Sequence, residues 1–180
     1  MRILVTKRLT LRPPVALDAD DIAAGLSNWK VARNLAVVPH PYFPADALDW
    51  IGGLASEPEN IVYTIHREKL IGVVSLEGGG PVPHLGYWLA EEAHGHGFMT
   101  EAAGALIDHA VATRSIEGIA SSVFIDNPAS MQVQKKLGFR TTGLTQTYCR
   151  ARDAMVDALT TRLDAAAWTS HAPALERAAA

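Results

Sequence analysis

The sequence predicts an α+β fold, a β-sheet covered by helices. Three observations carry that prediction. Short segments alternate apolar and polar residues, as half-buried strands do. One long segment, Phe98 to Thr113, repeats apolar residues at helical spacing. The order of elements is strands, a helix, a strand, a helix and a strand hairpin, which is not the alternation of a doubly wound fold.

Thr6 to Arg12 alternates and reads as the first strand, stopped by Pro13-Pro14. A short helix follows from Asp18 to Gly25, with Asp18 as its N-cap. Trp29 to Asp49 reads as irregular, punctuated by Pro39, Pro41 and Pro44 and rich in aromatic residues. A helix is expected from about Asp46 to Leu54. Ile61 to His66 and Leu70 to Leu76 are strands joined by the polar turn Arg67-Glu68-Lys69. After the loop Glu77-Gly78-Gly79-Gly80-Pro81 comes a strand from Leu85 to Ala90. In the helix Phe98–Thr113, the residues Met99, Ala102, Ala103, Leu106, Ile107, Ala110 and Val111 form one stripe that faces the sheet. Ile116 to Ile125 is a strand. Asn127 caps the next helix, with Pro128 in its first turn and Gly138 just past its end. Phe139–Tyr148 and Met155–Leu163 close the fold as strands.

Composition removes several function classes. Hydrophobic residues are 48% and charged residues 19% of the 180 positions, so the chain buries a core rather than staying disordered. A net charge of −3 offers no basic footprint for nucleic acid or an anionic membrane. Cys149 is the one cysteine, which excludes a disulfide-stapled scaffold. No apolar run approaches the roughly 20 residues that span a bilayer. The start, MRILVTKRLTLRPP, lacks a signal-peptide pattern. A cytoplasmic location is the expectation.

The segment His94-Gly95-His96-Gly97-Phe98-Met99-Thr100-Glu101-Ala102 places a glycine loop between a strand and a helix. The glycines permit a tight turn and close approach of a ligand. The first N–H groups of a helix have no internal partner, so the junction suits phosphate oxygens. A dinucleotide fingerprint would need a third glycine where Thr100 stands, and a P-loop would need Gly-Lys-Ser/Thr. His94 and His96, two apart in a loop, do not match a zinc pair, and no metal is expected. Further on, Asn127-Pro128-Ala129-Ser130 opens the helix that ends Lys135-Lys136-Leu137-Gly138-Phe139. Capping alone accounts for Asn127 and Ser130. Paired with the glycine loop, however, two helix N-termini after neighbouring strands bracket a cleft.

Together with Thr6-Lys7-Arg8-Leu9-Thr10-Leu11-Arg12 and Leu85-Gly86-Tyr87-Trp88-Leu89, these stretches resemble, in order, the GNAT superfamily of N-acetyltransferases. The similarity is to the branch of ribosomal-protein N-terminal acetyltransferases (RimJ/RimL type) and spans about Thr6 to Trp168. It implies the GNAT fold, a mixed central sheet of about seven strands with helices on both faces. The central strands Leu85–Ala90 and Ile116–Ile125 should splay apart. It implies one acetyltransferase domain over residues 1–170; the alanine-rich end, 171–180, is expected to be a short frayed tail. It also implies acetyl-CoA as co-substrate and no metal. The cofactor contacts fall on Trp88, Leu89 and Ala90, on Gly95, His96, Gly97, Phe98, Met99 and Thr100, and on Asn127 and Ser130. His94 and Met99 depart from the family's usual Gln/Arg and small residue.

Acetyl transfer to an amine needs a base for the amine, donors for the oxyanion and an acid for the thiolate. The resemblance assigns amides near Trp88 and Leu89 to the thioester carbonyl and Ser130 to the acid. His84, where related enzymes often carry a glutamate, and Glu77 are the candidate bases; an imidazole of ordinary pKa, about 6.5, is largely neutral near pH 7. Trp29, Tyr42, Phe43 and Tyr87 are the candidate substrate wall. The implied activity is N-acetylation of a primary amine, a protein N-terminus or a small molecule, by a monomer or homodimer. The alternative is a non-catalytic acyl-CoA-binding or sensor domain on the same fold.

Overall fold

The computed structural model describes residues 2–169. Where one strand was predicted at Thr6–Arg12, there are two, β1 (Leu4–Val5) and β2 (Thr10–Arg12). Thr6 breaks the run. Its main-chain N–H and its hydroxyl both donate to the Leu9 carbonyl, at 2.9 and 3.3 Å, and close a turn. The helix α1 (Ala19–Leu26) follows Asp18, but the Asp18 side chain does not cap it. The carboxylate instead accepts both arms of the Arg12 guanidinium, at 2.6 and 2.8 Å, and the Val15 amide at 2.9 Å. A charged fork outcompetes a neutral helix amide.

The segment read as irregular holds a short helix, α2 (Trp29–Ala32), capped by Asn28, whose side chain accepts from the Lys30 amide. The next helix, α3 (Pro44–Gly53), begins at Pro44 rather than Asp46, because proline's fixed φ suits the first turn. The remaining elements are β3 (Ile61–His66), β4 (Leu70–Glu77), β5 (His84–Leu89), α4 (Phe98–Thr113), β6 (Gly118–Phe124), α5 (Pro128–Lys136), β7 (Arg140–Cys149) and β8 (Ala154–Asp164).

Among the described residues all eight strands form one sheet in the order β1-β2-β3-β4-β5-β6-β8-β7. Every pair is antiparallel except β5 with β6. Helices cover both faces. On one, α1, α2 and α3 bury Ile22, Leu26, Val31, Tyr42 and Ala47 with Leu70 of β4. On the other, Met99, Ala102, Ala103, Leu106, Ile107 and Ala110 of α4 are buried among Tyr63, Val74 and Leu85. Val111, the remaining member of the predicted stripe, lies at its margin and is 38% exposed. Leu137, the C-cap of α5, joins the same core, and Gly138 follows it with a φ of +86° that favours glycine. Among the described residues no helix is long and apolar enough to cross a membrane. The expected tail at 171–180 lies outside the described residues.

Candidate active site

The strands β5 and β6 run parallel but share one register pair, His84 with Ala120. Beyond it the gap between them opens. The direction of each main-chain group on β5 follows from its partners. The Ala90 amide donates to the Ile71 carbonyl of the β4 side at 2.9 Å. Antiparallel pairs exchange both hydrogen bonds at alternate positions, so Trp88, in register with Val73, also spends its amide on β4. The odd residues turn the other way, as Pro83 and Leu85 show by accepting from Ala120 and Ser121 of β6. The Leu89 and Tyr87 amides therefore face the gap. Of the two amides that the sequence assigns to the thioester carbonyl, near Trp88 and Leu89, that of Leu89 faces the gap and that of Trp88 faces β4.

One rim of the gap is the junction into α4. Gly95 and Gly97 both hold positive φ, +78° and +77°, and a Cβ at Gly95 would meet nothing within 4 Å. Conformation, not space, demands glycine there. The first helical hydrogen bond of α4 runs from the Glu101 amide to the Gly97 carbonyl. The Phe98, Met99 and Thr100 amides lie ahead of it, in the unpaired first turn that attracts anions. Side chains brace this loop. Arg8 donates to the His96 carbonyl at 2.9 Å and to Glu101 at 2.6 Å, and its guanidinium lies 4.6 Å above the Phe98 ring. Thr6 adds a hydrogen bond to Glu101 at 2.7 Å. Burial acts to raise the Glu101 pKa, but Thr6 and Arg8 together hold it below the usual carboxylate value. Sequence reasoning gave Arg8 no role, because nothing local links it to a loop 88 positions away. His94 Nε2 stands 2.9 Å from the Leu89 carbonyl and donates to it, since a carbonyl only accepts.

The opposite rim is the start of α5. Asn127 caps the helix by accepting from the Ser130 amide at 3.1 Å. Ser130 Oγ shares a 2.8 Å hydrogen bond with the Tyr87 hydroxyl. Burial raises the Tyr87 pKa, and hydrogen bonds to Ser130 and Gln134 offset part of the rise. Tyr87 thus shares the sheet face of Leu85 and Leu89 and does not join the other three aromatic residues of the expected substrate wall.

Those three lie on the α1–α3 side. Tyr42 is buried in that core, which pushes its pKa up to about 12. Trp29 and Phe43 are exposed, with the Trp29 ring 5.2 Å from His40. The side chain of Trp88 packs here too, against α1 at Gly25. A cleft of about 110 Å³ opens beside it, lined by Asn28, Ala90 and Glu91 among others. Glu91 accepts from Asn28 at 2.8 Å and pairs with Lys30, which ties α2 to the turn after β5. A larger depression of about 310 Å³ sits at the far end of α5 from Ser130, lined by Lys136, Arg140 and Arg162.

His84 and Glu77 face each other across the β4–β5 ladder, at the closed end of the gap. His84 is exposed at the start of β5, and the partial desolvation it undergoes there lowers its pKa, opposed by the Glu77 charge. Ser75 donates to Glu77 at 3.0 Å. The arrangement offers a neutral imidazole at the closed end of the gap, amides inside the gap and a hydroxyl pair on the α5 rim. Such a set can activate an amine, stabilise an oxyanion and protonate a leaving group.

Comparison with known proteins shows the family. Residues 8–140 match the family described as Acetyltransferase (GNAT) domain. The chain is 27% identical over 167 residues to "Uncharacterized N-acetyltransferase p20" of Bacillus licheniformis, covering 87% of this chain and 93% of that protein. The crystal structure of the ribosomal-protein-S5-alanine acetyltransferase of Vibrio fischeri superimposes with a TM-score of 0.80 at 21% identity, covering 94% of this chain and 100% of that one. RimL, a ribosomal L7/L12 α-N-protein acetyltransferase solved with coenzyme A, gives 0.79 at 20% identity, covering 91% and 98%. The match over residues 8–140 spans most of the molecule, including the gap and both of its rims, and the chain is an acetyltransferase that belongs to the GNAT family.

Proposed function

We propose that this acetyltransferase moves the acetyl group of acetyl-CoA directly to a primary amine, within one ternary complex. The acceptor is a protein N-terminal α-amine or a small-molecule amine. The observation that carries the reading is the gap between β5 and β6, which has unpaired helix amides on one rim and Ser130 on the other. The similar structures named above act on ribosomal proteins by their descriptions, and one holds coenzyme A; these support the choice of substrate and acceptor.

In this reading residues 1–170 are one catalytic domain. The main chain of Gly95, His96, Gly97, Phe98, Met99 and Thr100 holds the pyrophosphate. Trp88, Leu89 and Ala90 line the thioester arm, and the Leu89 amide donates to the carbonyl as negative charge develops on it. His84, about 16 Å along β5 from Leu89, takes the proton of the amine through intervening water, with Glu77 as the alternative base. Ser130 protonates the departing sulfur, and Asn127 fixes the turn that carries it. Trp29, Phe43 and the cleft beside Trp88 receive the acceptor, with Tyr42 as their buried support. The net charge of −3 favours a cationic acceptor at long range. The protein works in the cytoplasm as a monomer or homodimer, without metal, nucleic acid or membrane.

An acceptor screen tests this. Thiol release from acetyl-CoA is followed with peptides bearing ribosomal-protein N-termini, polyamines and aminoglycosides, and acceptor mass is checked for one added acetyl group. Amine-dependent release with acetylated product is expected. Tight CoA binding with every acceptor left unmodified would establish the binding-only alternative. Preference for ATP over CoA in calorimetry would overturn the choice of co-substrate.

A further inference from the structure

We propose that Tyr87 is the proton reservoir of Ser130: Ser130 gives its hydroxyl hydrogen to the departing sulfur and refills from the Tyr87 phenol. The inference rests on the acetyl-transfer reading and supplies what that reading lacks. A serine alkoxide is a far stronger base than a thiolate, so proton transfer from an isolated serine to sulfur runs steeply uphill. A phenol, with an ordinary pKa of about 10, is far closer to a thiol at about 8.5. A serine backed by a phenol passes on a proton without becoming an alkoxide.

The geometry suits that task. Tyr87 Oη and Ser130 Oγ are 2.8 Å apart. When the phenol donates to Oγ, the serine hydrogen is free to point into the gap. Tyr87 Oη also lies 3.4 Å from the Ser130 carbonyl, a second acceptor for the resting state. The Ser130 turn is held by Asn127. Gln134, one turn further along α5, is itself fixed by Ser121 at 2.9 Å and Thr161 at 2.7 Å. The groups facing the phenol are Ser130 and Gln134 of α5, Val74 of β4 and the apolar face of α4, and no charged group contributes to its shift. Burial holds Tyr87 in its protonated form above the ordinary phenol range.

The step balances. The C–S bond breaks and its electron pair goes to sulfur, while the C–N bond forms. Sulfur takes the Ser130 hydrogen, Ser130 Oγ takes the Tyr87 hydrogen, and Tyr87 is left as tyrosinate. The amine proton passes to His84 through water, because His84 and Leu89 stand at opposite ends of β5. After release, water returns a proton to Tyr87 through Ser130, and His84 yields its own to solvent.

The test compares wild type with Tyr87→Phe, Ser130→Ala, the double variant and 3-fluorotyrosine placed at position 87, a more acidic phenol of nearly the same shape. The expected kcat loss in Tyr87→Phe is on the order of 10- to 100-fold, with the KM for acetyl-CoA held within about twofold. The double variant should lose no more than Ser130→Ala alone, because the two hydroxyls act in series. The fluorotyrosine protein should work near neutral pH and lose activity at a lower alkaline pH than wild type. Its fluorine resonance, titrated without substrate, should show a pKa that rises further when Ser130→Ala removes the hydrogen bond. CoA affinity by calorimetry should be unchanged in Tyr87→Phe. Wild-type kcat in Tyr87→Phe, an alkaline limb that fluorination does not move, or a loss confined to CoA binding would each overturn the relay while leaving acetyl transfer intact. A wild-type protein that acetylates no amine overturns the acetyl-transfer reading and the relay with it.

Discussion

Ser121 of β6 donates its hydroxyl to the Leu85 carbonyl of β5 at 2.9 Å, beside the single register pair that joins these strands. Gln134 of α5 donates to Ser121 Oγ and accepts from Thr161 of β8. All three side chains are buried. Where the backbone ladder between β5 and β6 stops, this chain of side chains closes the apex of the gap. Gln134→Leu, similar in size, removes the donor to Ser121 Oγ and one acceptor of Thr161, while the two hydroxyls keep the Leu85 and Ser121 carbonyls, at about 0.5–1.5 kcal/mol for each hydrogen bond lost. Urea unfolding should show that loss, and calorimetry a weaker affinity for CoA. An unchanged unfolding midpoint would mean that the network is dispensable.

Gly72 lies opposite Leu89 in the β4–β5 ladder. A Cβ there would stand 2.2 Å from the Trp88 carbonyl oxygen and 3.0 Å from the Leu89 Cα. Main-chain atoms cannot swing aside as a side-chain tip can. Gly72→Ala should therefore pry β5 from β4 at the stretch that turns the Leu89 amide into the gap. The expected cost is about 1–3 kcal/mol of stability, with a parallel loss of CoA affinity. Gly80→Ala, where a Cβ meets nothing within 4 Å, is the control and should change neither. Equal behaviour of the two variants would refute the argument.

Local signals made the helices legible. The stripe of α4 and the Asn127-Pro128 start and Gly138 stop of α5 are properties of neighbouring residues, and the bounds of α4 coincide with the prediction. The features missed join distant positions. The turn at Thr6 has its counterpart in Glu101 of α4, and Asp18 turned from its helix to Arg12. The α2 helix has four residues, too few for a 3.6-residue period to register. Strand parity sets Tyr87 apart from Trp29, Tyr42 and Phe43: it shares parity with the apolar Leu85 and Leu89, so alternation places it on their face. Which face carries Ser130 depends on how α5 returns across the sheet, 43 residues later.

His84 should set the acidic limb of kcat/KM. Partial desolvation lowers its pKa and Glu77 raises it, with a net lowering. The neutral, proton-accepting form therefore persists below the ordinary imidazole value of about 6.5, and the limb should lie below that value. Glu77→Gln removes the opposing charge, so the limb should move lower still. His84→Gln should remove the limb and cost on the order of 10²-fold or more in rate. A limb that stays in place in Glu77→Gln would assign it to another group.

The pair of Arg12 and Asp18 should appear in stability at low pH. Asp18 is 5% exposed. Burial alone would raise its pKa, but the Arg12 fork and the Val15 amide outweigh burial and hold it below the usual carboxylate value. A folded-state pKa below the unfolded one means that the contribution is fully present above the unfolded value, about 3.9, and fades as pH falls through the folded value. Asp18→Asn should therefore be less stable than wild type near neutral pH, by about 1.5–3 kcal/mol for charge-assisted hydrogen bonds. The Arg12 side chain keeps 31% exposure, and solvent screening places the expectation toward the lower end. The difference between the two proteins should begin to shrink as pH drops below about 4 and fade out below the lowered folded-state value, where protonated Asp18 no longer holds the guanidinium as an ion pair. Urea unfolding at a series of pH values measures it, and a difference that stays constant down the series would show that the ion pair adds nothing to the anchoring of α1 against β2.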